Sequence, residues 1–470
     1  MENKKWGLWV LTAFVVGNMV GGGIFMLPAN MAQVASPIGS TIAWLTTGLG
    51  VLMIALVFGN LAIRRPDLKA GPQSYAQAMF ASKKMGRTAG FSVAWGYWAA
   101  NWPATASIII SFAGYLSTFF PILSSKTVLF SIGSLEVHSG NLTTFIVCSA
   151  LLWGLQWILA TRFTSAGKIN FVATAAKVLG FGLFIIFTLF IFNVANVSGS
   201  TFVNSSGETI SLSGQVNGAA ISTLWAFIGI EAAVMLSNRA KSQQDVKRAT
   251  LIGLLIAIII YIGITLLTMG ALSQQALRDS QKPLVDALST AIGPNGAAIL
   301  AILALISLFG SIVGWIVVSA EVPYQAAKSE LFPMYFAKTN KGGSPIRSLT
   351  ITNIMTQVFL FSTISGTVGQ AYNFAIIVAT LAYLIPYLVS SLYQLKLVIT
   401  GETYKSMGAR IKDGIIVIIA LVYSIWVIKT GTADLKTFML GIGLFVIGLL
   451  FYPILMRNRN VQNKDINTAS

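Results

Sequence analysis

The chain has 470 residues, of which 55% are hydrophobic and 10% are charged, whereas soluble domains carry roughly 25% charged residues. This composition excludes a soluble globular protein, and the apolar runs are continuous rather than alternating, which excludes an outer-membrane β-barrel. One cysteine, Cys148, and one histidine, His138, exclude a disulfide framework and a metal site rich in histidine or cysteine, so no metal or cofactor is expected.

Apolar runs long enough to cross a hydrocarbon core of about 30 Å recur along nearly the whole chain. They predict an all-α polytopic membrane protein with twelve transmembrane helices. In chain order the predicted spans are 8–30, 39–61, 90–119, 143–160, 170–195, 217–236, 249–272, 296–327, 349–366, 371–395, 414–429 and 437–456. No cleavable signal peptide and no appended soluble domain are expected, so function is expected inside the helix bundle.

The distribution of basic residues predicts the orientation. With an even number of spans, both termini share one side of the membrane, and segments on that side hold 25 of the 31 Lys and Arg residues. The opposite loops hold 5, and Lys177 lies within the fifth span. Because cytoplasmic loops are enriched in Lys and Arg, we expect cytoplasmic termini and a multi-pass protein of the plasma membrane. This topology explains the net charge of +17 without a nucleic-acid partner.

The first span contains three consecutive glycines, Gly21, Gly22 and Gly23, followed by Ile24 and Pro28. Each glycine costs about 1 kcal/mol relative to alanine in a helix, so unwinding is expected here. Unwound backbone at this depth is tolerated where it lines a cavity, and its amides and carbonyls can hold a carboxylate and an ammonium. The alternative is a close helix-packing seam, but Pro28 and a second break favour substrate binding.

The second break is predicted in the sixth span, at residues 225–231, which include Trp225, Ile228, Gly229 and Glu231. Interrupted helices at corresponding positions of two halves mark the midplane site of inverted-repeat transporters. The first and sixth spans are five helices apart, which predicts two related halves, and we expect Trp225 and Ile228 to contact substrate.

Three ionisable residues lie within predicted spans: Lys177, Glu231 and Glu321. A charge at the centre of a transmembrane helix costs about 2.5–3.5 kcal/mol on insertion scales, so each is a functional candidate. Glu321 lies near a span end, which favours an interfacial role. Glu231 lies beside the second break, which favours a gate or a proton-linked switch. For Lys177, snorkelling toward the lipid surface is the alternative.

Trp315, Asn101 and Thr105 are further candidates for binding substrate. Trp315 lies at mid-depth in the eighth span, where a tryptophan face can hold a desolvated cation by about 2 kcal/mol; core packing is the alternative. Asn101 and Thr105 lie one turn apart in the third span, where they can offer polar contacts to a substrate side chain.

Together these residues resemble the amino acid–polyamine–organocation superfamily, and within it the basic amino acid/polyamine antiporters, over essentially all twelve predicted spans. This resemblance rests on GNMVGGGIFMLPAN at 17–30, YWAANW at 97–102 and LWAFIGIEAAV at 224–234. The chain resembles the arginine/ornithine antiporters still more closely, on the basis of IRRPDL at 63–68, FSVAWGYW at 91–98, SNRAKSQQDVKRAT at 237–250 and GETY at 401–404.

The resemblance implies a fold of five plus five helices in an inverted repeat, with helices 1 and 6 broken and two further C-terminal helices. The corresponding segments are 1–195, 196–395 and 396–470. The partners implied are a small amino acid, the exchanged amino acid or amine, and the lipid bilayer, and a homodimer is compatible with it.

The resemblance also implies roles for individual residues. The Gly21–Ile24 segment would hold the α-carboxylate and α-amine, with Gly22 standing where the family pattern has serine. Trp225 would close over the aliphatic stem and Trp315 would stack on the distal group. The remaining implied roles are side-chain binding by Asn101 and Thr105, gating by Glu231, and an ammonium in place of a sodium ion at Lys177.

The function implied is exchange of an external amino acid for an internal product by alternating access. Arginine and ornithine are the first choice, and an amino acid with its decarboxylated amine, such as histidine with histamine, is the second. A proton-coupled permease is the third. An enzyme is not expected, because the spans offer no catalytic constellation. A transporter-like sensor that binds ligand without flux stays an alternative, and the expected absence of an appended signalling domain weighs against it.

Overall fold

The computed structural model describes residues 6–68, 71–132, 135–161, 166–204, 206–231, 234, 240–340, 343–431, 435, 438–450 and 452–453. Within these residues, seven helices are long and apolar enough to cross a membrane. Two shorter apolar helices, Leu8–Met19 and Phe438–Leu450, accompany them. The chain is therefore a predominantly helical, multi-pass membrane protein.

The α-helices occur in all the predicted intervals. In chain order they are α1 (Leu8–Met19), α2 (Leu27–Val34), α3 (Pro37–Arg64), α4 (Pro72–Met79), α5 (Lys83–Leu116), α6 (Ser139–Thr161), α7 (Ala166–Phe190), α8 (Val194–Val197), α9 (Leu212–Ala226), α10 (Gln243–Ala271), α11 (Gln274–Arg278), α12 (Pro283–Lys328), α13 (Ile346–Leu360), α14 (Ser362–Ser365), α15 (Val368–Thr400), α16 (Met407–Gly431) and α17 (Phe438–Leu450). Several begin before the predicted span, as α5 does at Lys83 instead of residue 90, because a helix continues into polar surroundings where hydropathy no longer marks it.

The first predicted break is present between α1 and α2. α1 ends at Met19, a single 3₁₀ turn covers Gly23–Phe25, and α2 begins at Leu27. Pro28 occupies the first turn of α2, where its missing amide costs no hydrogen bond. The glycines therefore lie where the helix is interrupted, and the proline lies in the first turn of the next helix, as expected.

The second predicted break is also present. α9 ends at Ala226, and residues 227–231 form turns. Gly229 has φ of +106°, which favours glycine, and a Cβ atom there would lie 3.1 Å from the Cβ of Asn18 in the last turn of α1, next to the first break. The two breaks are thus in direct contact. Of the predicted continuation to residue 236, only Val234 lies within the described residues.

Helix α12 is bent within its length. Gly293 has φ of +74° and ψ of 169°, and Pro294 follows, so that two helical segments meet at this point. The prediction of a span starting at residue 296 missed the first of these segments, because it contains Asp286 and is less continuously apolar.

Two small antiparallel strand pairs correct the all-α prediction. β1 (Val128–Ile132) pairs with β2 (Leu135–His138), and β3 (Phe202–Val203) pairs with β4 (Thr209–Ile210). Both lie in loops between helices, and β-branched and aromatic residues such as Val128, Phe130 and Ile132 favour extended backbone there. A hydropathy search for spans does not detect such short strands.

The breaks lie in the interior of the bundle. α1 packs on α10, α10 on α3, and α5 on both α12 and α15. At the first break Val20 and Ile24 are 3% and 2% exposed, and at the second Phe227 and Ile230 are fully buried. Backbone groups that the breaks release from helical bonding therefore face protein, which can satisfy them, rather than lipid.

Candidate substrate-binding site

A narrow cavity lies between the two breaks. Its lining residues are Asn18, Met19, Gly21, Gly22, Gly23, Ile108, Trp225, Ala226, Ile228 and Trp315. The space open to the centre of a water molecule is about 10 Å³, so the cavity is nearly closed. Six of the predicted site residues line it, namely Gly21, Gly22, Gly23, Trp225, Ile228 and Trp315. Asn18 and Ile108 were not predicted, and Ile24, Asn101 and Thr105 do not line the cavity in this conformation.

The first break supplies hydrogen-bond donors to the cavity region. Gly21 donates its amide to the carbonyl of Met19, 2.7 Å away. Among the described residues, no acceptor pairs with the amides of Gly22, Gly23 and Ile24. Adjacent unpaired amides at a buried break are suited to an anion such as a carboxylate.

Two tryptophans face each other across the cavity. The ring centroids of Trp225 and Trp315 are 6.2 Å apart at an interplanar angle of 34°. The indole Nε1 of Trp225 donates to the hydroxyl of Tyr372 at 3.2 Å, and that hydroxyl donates to the carbonyl of Gly23 at 3.3 Å. Tyr372 therefore connects the tryptophan of the second break to the backbone of the first.

Ile108 explains the glycine at position 22. A Cβ atom built on Gly22 would lie 2.6 Å from Cγ2 of Ile108, closer than carbon atoms approach. The hydroxyl that a serine would place here is replaced by an isoleucine side chain from α5, which makes this wall of the cavity apolar.

Glu231 is held by two tyrosines at the second break. Its side chain accepts from the hydroxyl of Tyr97 on α5 at 2.7 Å and from that of Tyr387 on α15 at 2.6 Å. It also accepts from the amide of Gly229 at 3.2 Å, and the residue is 1% exposed. The buried carboxyl group thus joins three parts of the bundle through hydrogen bonds.

Lys177 contacts the first break directly. Its Nζ donates to the carbonyl of Val20, 2.5 Å away, just after α1 ends. This acceptor lies one residue before the Gly21–Ile24 segment. An ammonium bonded to a carbonyl in the bundle is not snorkelling to the lipid surface.

Tyr261 on α10 joins the two breaks and was not predicted. Its hydroxyl lies 2.6 Å from the carbonyl of Met19 and 2.6 Å from that of Ala226, the last residues of α1 and α9. A hydroxyl carries one proton, so it donates to one of these carbonyls at a time. The ring stacks on Trp44 with centroids 5.2 Å apart, which fixes its position.

Asn101 and Thr105 are occupied by other side chains. Asn101 is fully buried and accepts from the hydroxyl of Tyr383 through Oδ1. Its Nδ2 has no hydrogen-bond partner among the described residues. Thr105 shares a hydrogen bond of 3.3 Å with Ser319 of α12. Both residues precede Ile108 on α5, by about two turns and one turn respectively. They therefore lie next to the cavity wall and outside the cavity itself.

Comparison with known proteins gives a consistent result. A family model described as amino acid permease matches residues 7–463. A Bacillus subtilis (strain 168) protein provisionally named an arginine/ornithine antiporter is 58% identical, over 96% of this chain and 97% of the relative. An arginine/ornithine antiporter of Pseudomonas aeruginosa is 35% identical over 96% and 91%, and one of Lactococcus lactis subsp. cremoris is 31% identical over 96% and 85%. The similarity extends along nearly the full length of each chain.

Proposed function

Because this chain belongs to the amino acid permease family, we propose that it is an antiporter that takes up arginine in exchange for internal ornithine. The names of the relatives support the pair. The observation that carries the proposal is the cavity between two helix breaks, which is lined by two tryptophans and by Gly22 and Gly23, whose amides have no partner among the described residues.

The topology we propose has twelve membrane crossings, with segments 1–195 and 196–395 as inverted repeats and 396–470 as an addition. Both termini lie in the cytoplasm and the protein is in the plasma membrane. The breaks after α1 and α9 support the repeat, since they fall in the first and sixth predicted spans. The excess of Lys and Arg on one side supports the orientation.

In the proposed binding mode, the α-carboxylate of the substrate accepts from the amides of Gly22, Gly23 and Ile24. The α-ammonium donates to a carbonyl at the end of α1 or α9, at Met19 or Ala226. Tyr261 leaves one of these two carbonyls free at any moment, because it has a single proton to donate. The zwitterionic end of any amino acid fits this arrangement, so the side chain determines selectivity.

The substrate side chain extends between Trp225 and Trp315 and along α5. A cationic group over the Trp315 face gains a cation–π contact. Thr105 lies about 4.5 Å along the helix from Ile108 and Asn101 about 10.5 Å, by the rise of 1.5 Å per residue. The distal group therefore reaches Thr105 first, and Asn101 binds it when the cavity widens.

Glu231 and Lys177 act in the change between conformations. Glu231 ties the second break to α5 and α15, and Lys177 ties the end of α1 to α7. Movement of either break requires these hydrogen bonds to break. A substrate that forms hydrogen bonds to the same backbone compensates for their loss. Exchange follows because the empty carrier lacks this compensation and reorients slowly.

The test is counterflow in proteoliposomes. We expect uptake of labelled arginine into vesicles loaded with ornithine and little uptake into empty vesicles. Loading with histamine, tyramine, putrescine or agmatine tests the alternative of exchange against an amine, and a pH gradient in empty vesicles tests the permease. Equal initial uptake into empty and loaded vesicles would overturn the proposed antiport.

A further inference from the structure

A basic groove lies at the beginning of α5, outside the cavity between the breaks. Its volume is about 480 Å³, and it is lined by Phe80, Lys84, Met85, Thr88, Ala89 and Ser92. Phe80 and Met85 are 38% and 55% exposed, so an apolar edge is open to the surroundings. The groove thus combines an apolar edge with a cation.

The shape of the groove follows from the sequence of α5. Gly86 and Gly90 pack against α4, and a Cβ atom on Gly86 would lie 2.5 Å from the carbonyl oxygen of Gln77. The small residues Thr88, Ala89 and Ser92 therefore lie on the face turned away from α4, where no large side chain fills the space. Thr88 and Ser92 donate their hydroxyls to backbone carbonyls of their own helix, and the Thr88 hydroxyl also lies 3.2 Å from that of Tyr452, which stands beside the groove.

The charge around the groove is positive and unpaired. Three exposed basic residues lie within five positions, namely Lys83, Lys84 and Arg87. Among the described residues none of the three has a carboxylate within ion-pair distance, and residues 80–92 contain no Asp or Glu. Arg65 differs, since it forms an ion pair of 2.7 Å with Asp67 and lowers the pKa of that carboxyl group.

We propose that this groove binds an anionic phospholipid of the cytoplasmic leaflet. The phosphate lies against Lys84, which lines the groove, while Lys83 and Arg87 add positive charge nearby, and an acyl chain runs along Phe80 and Met85. The proposal rests on the topology proposed above, which places this end of α5 at the cytoplasmic surface, where clustered Lys and Arg attract anionic headgroups. The chain's own C-terminal segment is a poor occupant, because 454–470 carries Arg457, Arg459 and Lys464 against a single Asp465.

Lipid titration of the purified protein, followed by native mass spectrometry, tests the assignment. The probes are dioleoylphosphatidylglycerol, dioleoylphosphatidylcholine and inorganic phosphate. The test variant is K83Q/K84Q/R87Q, and the matched control is K338Q/K405Q/K412Q, which removes the same charge from exposed residues elsewhere. We expect the wild type to prefer phosphatidylglycerol, the test variant to bind it at least about tenfold more weakly, and the control to change by less than about twofold.

A second variant, Ala89→Leu, fills the groove without changing charge, and it should also weaken phosphatidylglycerol binding. Equal losses in both triple variants, an unaffected Ala89→Leu protein, or displacement of the lipid by inorganic phosphate at equal concentration would each overturn the assignment. The antiport proposal is tested separately, because none of these residues lines the cavity. Loss of arginine exchange with intact lipid preference would refute antiport alone, whereas labelling of Lys83→Cys from outside intact cells would refute the cytoplasmic location of the groove.

Discussion

Replacing Tyr261 with phenylalanine tests whether the two breaks are coupled through α10. The substitution keeps the ring that stacks on Trp44 and removes only the hydroxyl, which lies 2.6 Å from the carbonyls of Met19 and Ala226. Because the hydroxyl carries one proton, one hydrogen bond is lost, and a buried carbonyl that could accept it loses its donor.

The expected magnitude follows from that single bond. Leaving a buried acceptor unpaired costs about 1–3 kcal/mol, which corresponds to a change of about 5-fold to 150-fold in an equilibrium constant. The carbonyls concerned are those proposed to hold the substrate ammonium. Without the hydroxyl they are free to turn away from the cavity, so we expect arginine binding to weaken within this range.

Calorimetric titration of arginine and counterflow rates measure the effect. The matched control is Tyr75→Phe, since the hydroxyl of Tyr75 is buried and has no hydrogen-bond partner among the described residues. We expect the control to match the wild type in both assays. A Tyr261→Phe protein that binds and exchanges arginine like the control would show that the hydroxyl does not organise the breaks.

Four further predictions address the site. Trp315→Leu should weaken arginine binding by about 1–2 kcal/mol, on the order of tenfold, through loss of a cation–π contact, and an unchanged calorimetric Kd would make this a packing residue. Glu231→Gln should retain binding but slow exchange, because an amide has one oxygen to accept from Tyr97 and Tyr387 where the carboxyl group has two; exchange at the wild-type rate would remove it from the mechanism. Lys177→Ala should abolish exchange in sodium-free buffer while keeping a normal size-exclusion profile, and Lys177→Arg should rescue it poorly; full exchange by the alanine variant contradicts the role. Gly22→Ser should lower exchange because its Cβ overlaps Ile108, and adding Ile108→Ala should restore activity; no rescue would place the defect elsewhere.

The breaks were predictable because their cause is local. Consecutive glycines and Pro28 weaken the first helix whatever surrounds it, and Glu231 is conspicuous because a carboxyl group in an apolar run is costly. Lys177 is conspicuous for the same reason, because an ammonium in an apolar run is also costly. These signals need only the residue and its immediate neighbours in the chain.

Tyr261, Tyr372 and Tyr387 were not predictable in the same way. A tyrosine in an apolar helix is unremarkable, since its ring packs in the core and its hydroxyl needs only one partner. Those partners are remote in sequence: 242 residues separate Tyr261 from Met19, and 156 separate Tyr387 from Glu231. Only the tertiary packing shows that each hydroxyl reaches a break.

The hydrogen-bond partner of Asn101 was not predictable for a related reason. Its polar amide in the third span suggested contact with substrate, but Oδ1 is taken by Tyr383 from α15. The apolar Ile108, two turns further along the same helix, forms the cavity wall instead. Helical spacing predicted that α5 lies beside the cavity. The packing of α15 against α5 determines which polar groups of α5 are already hydrogen-bonded.

The bend at Gly293 affects how a displacement at one end of α12 is transmitted to the other end. Pro294 has no amide to donate, and the left-handed backbone at Gly293 interrupts the hydrogen-bond ladder, so residues 283–292 form a short segment that is not hydrogen-bonded continuously to the rest of α12. We therefore expect a displacement of residues 283–292 to reach Trp315 only weakly. A displacement of α10, which runs without interruption from Gln243 to Ala271, is expected to reach Tyr261 directly. An antibody fragment intended to leave the site undisturbed is therefore better raised against the segment before the bend than against α10.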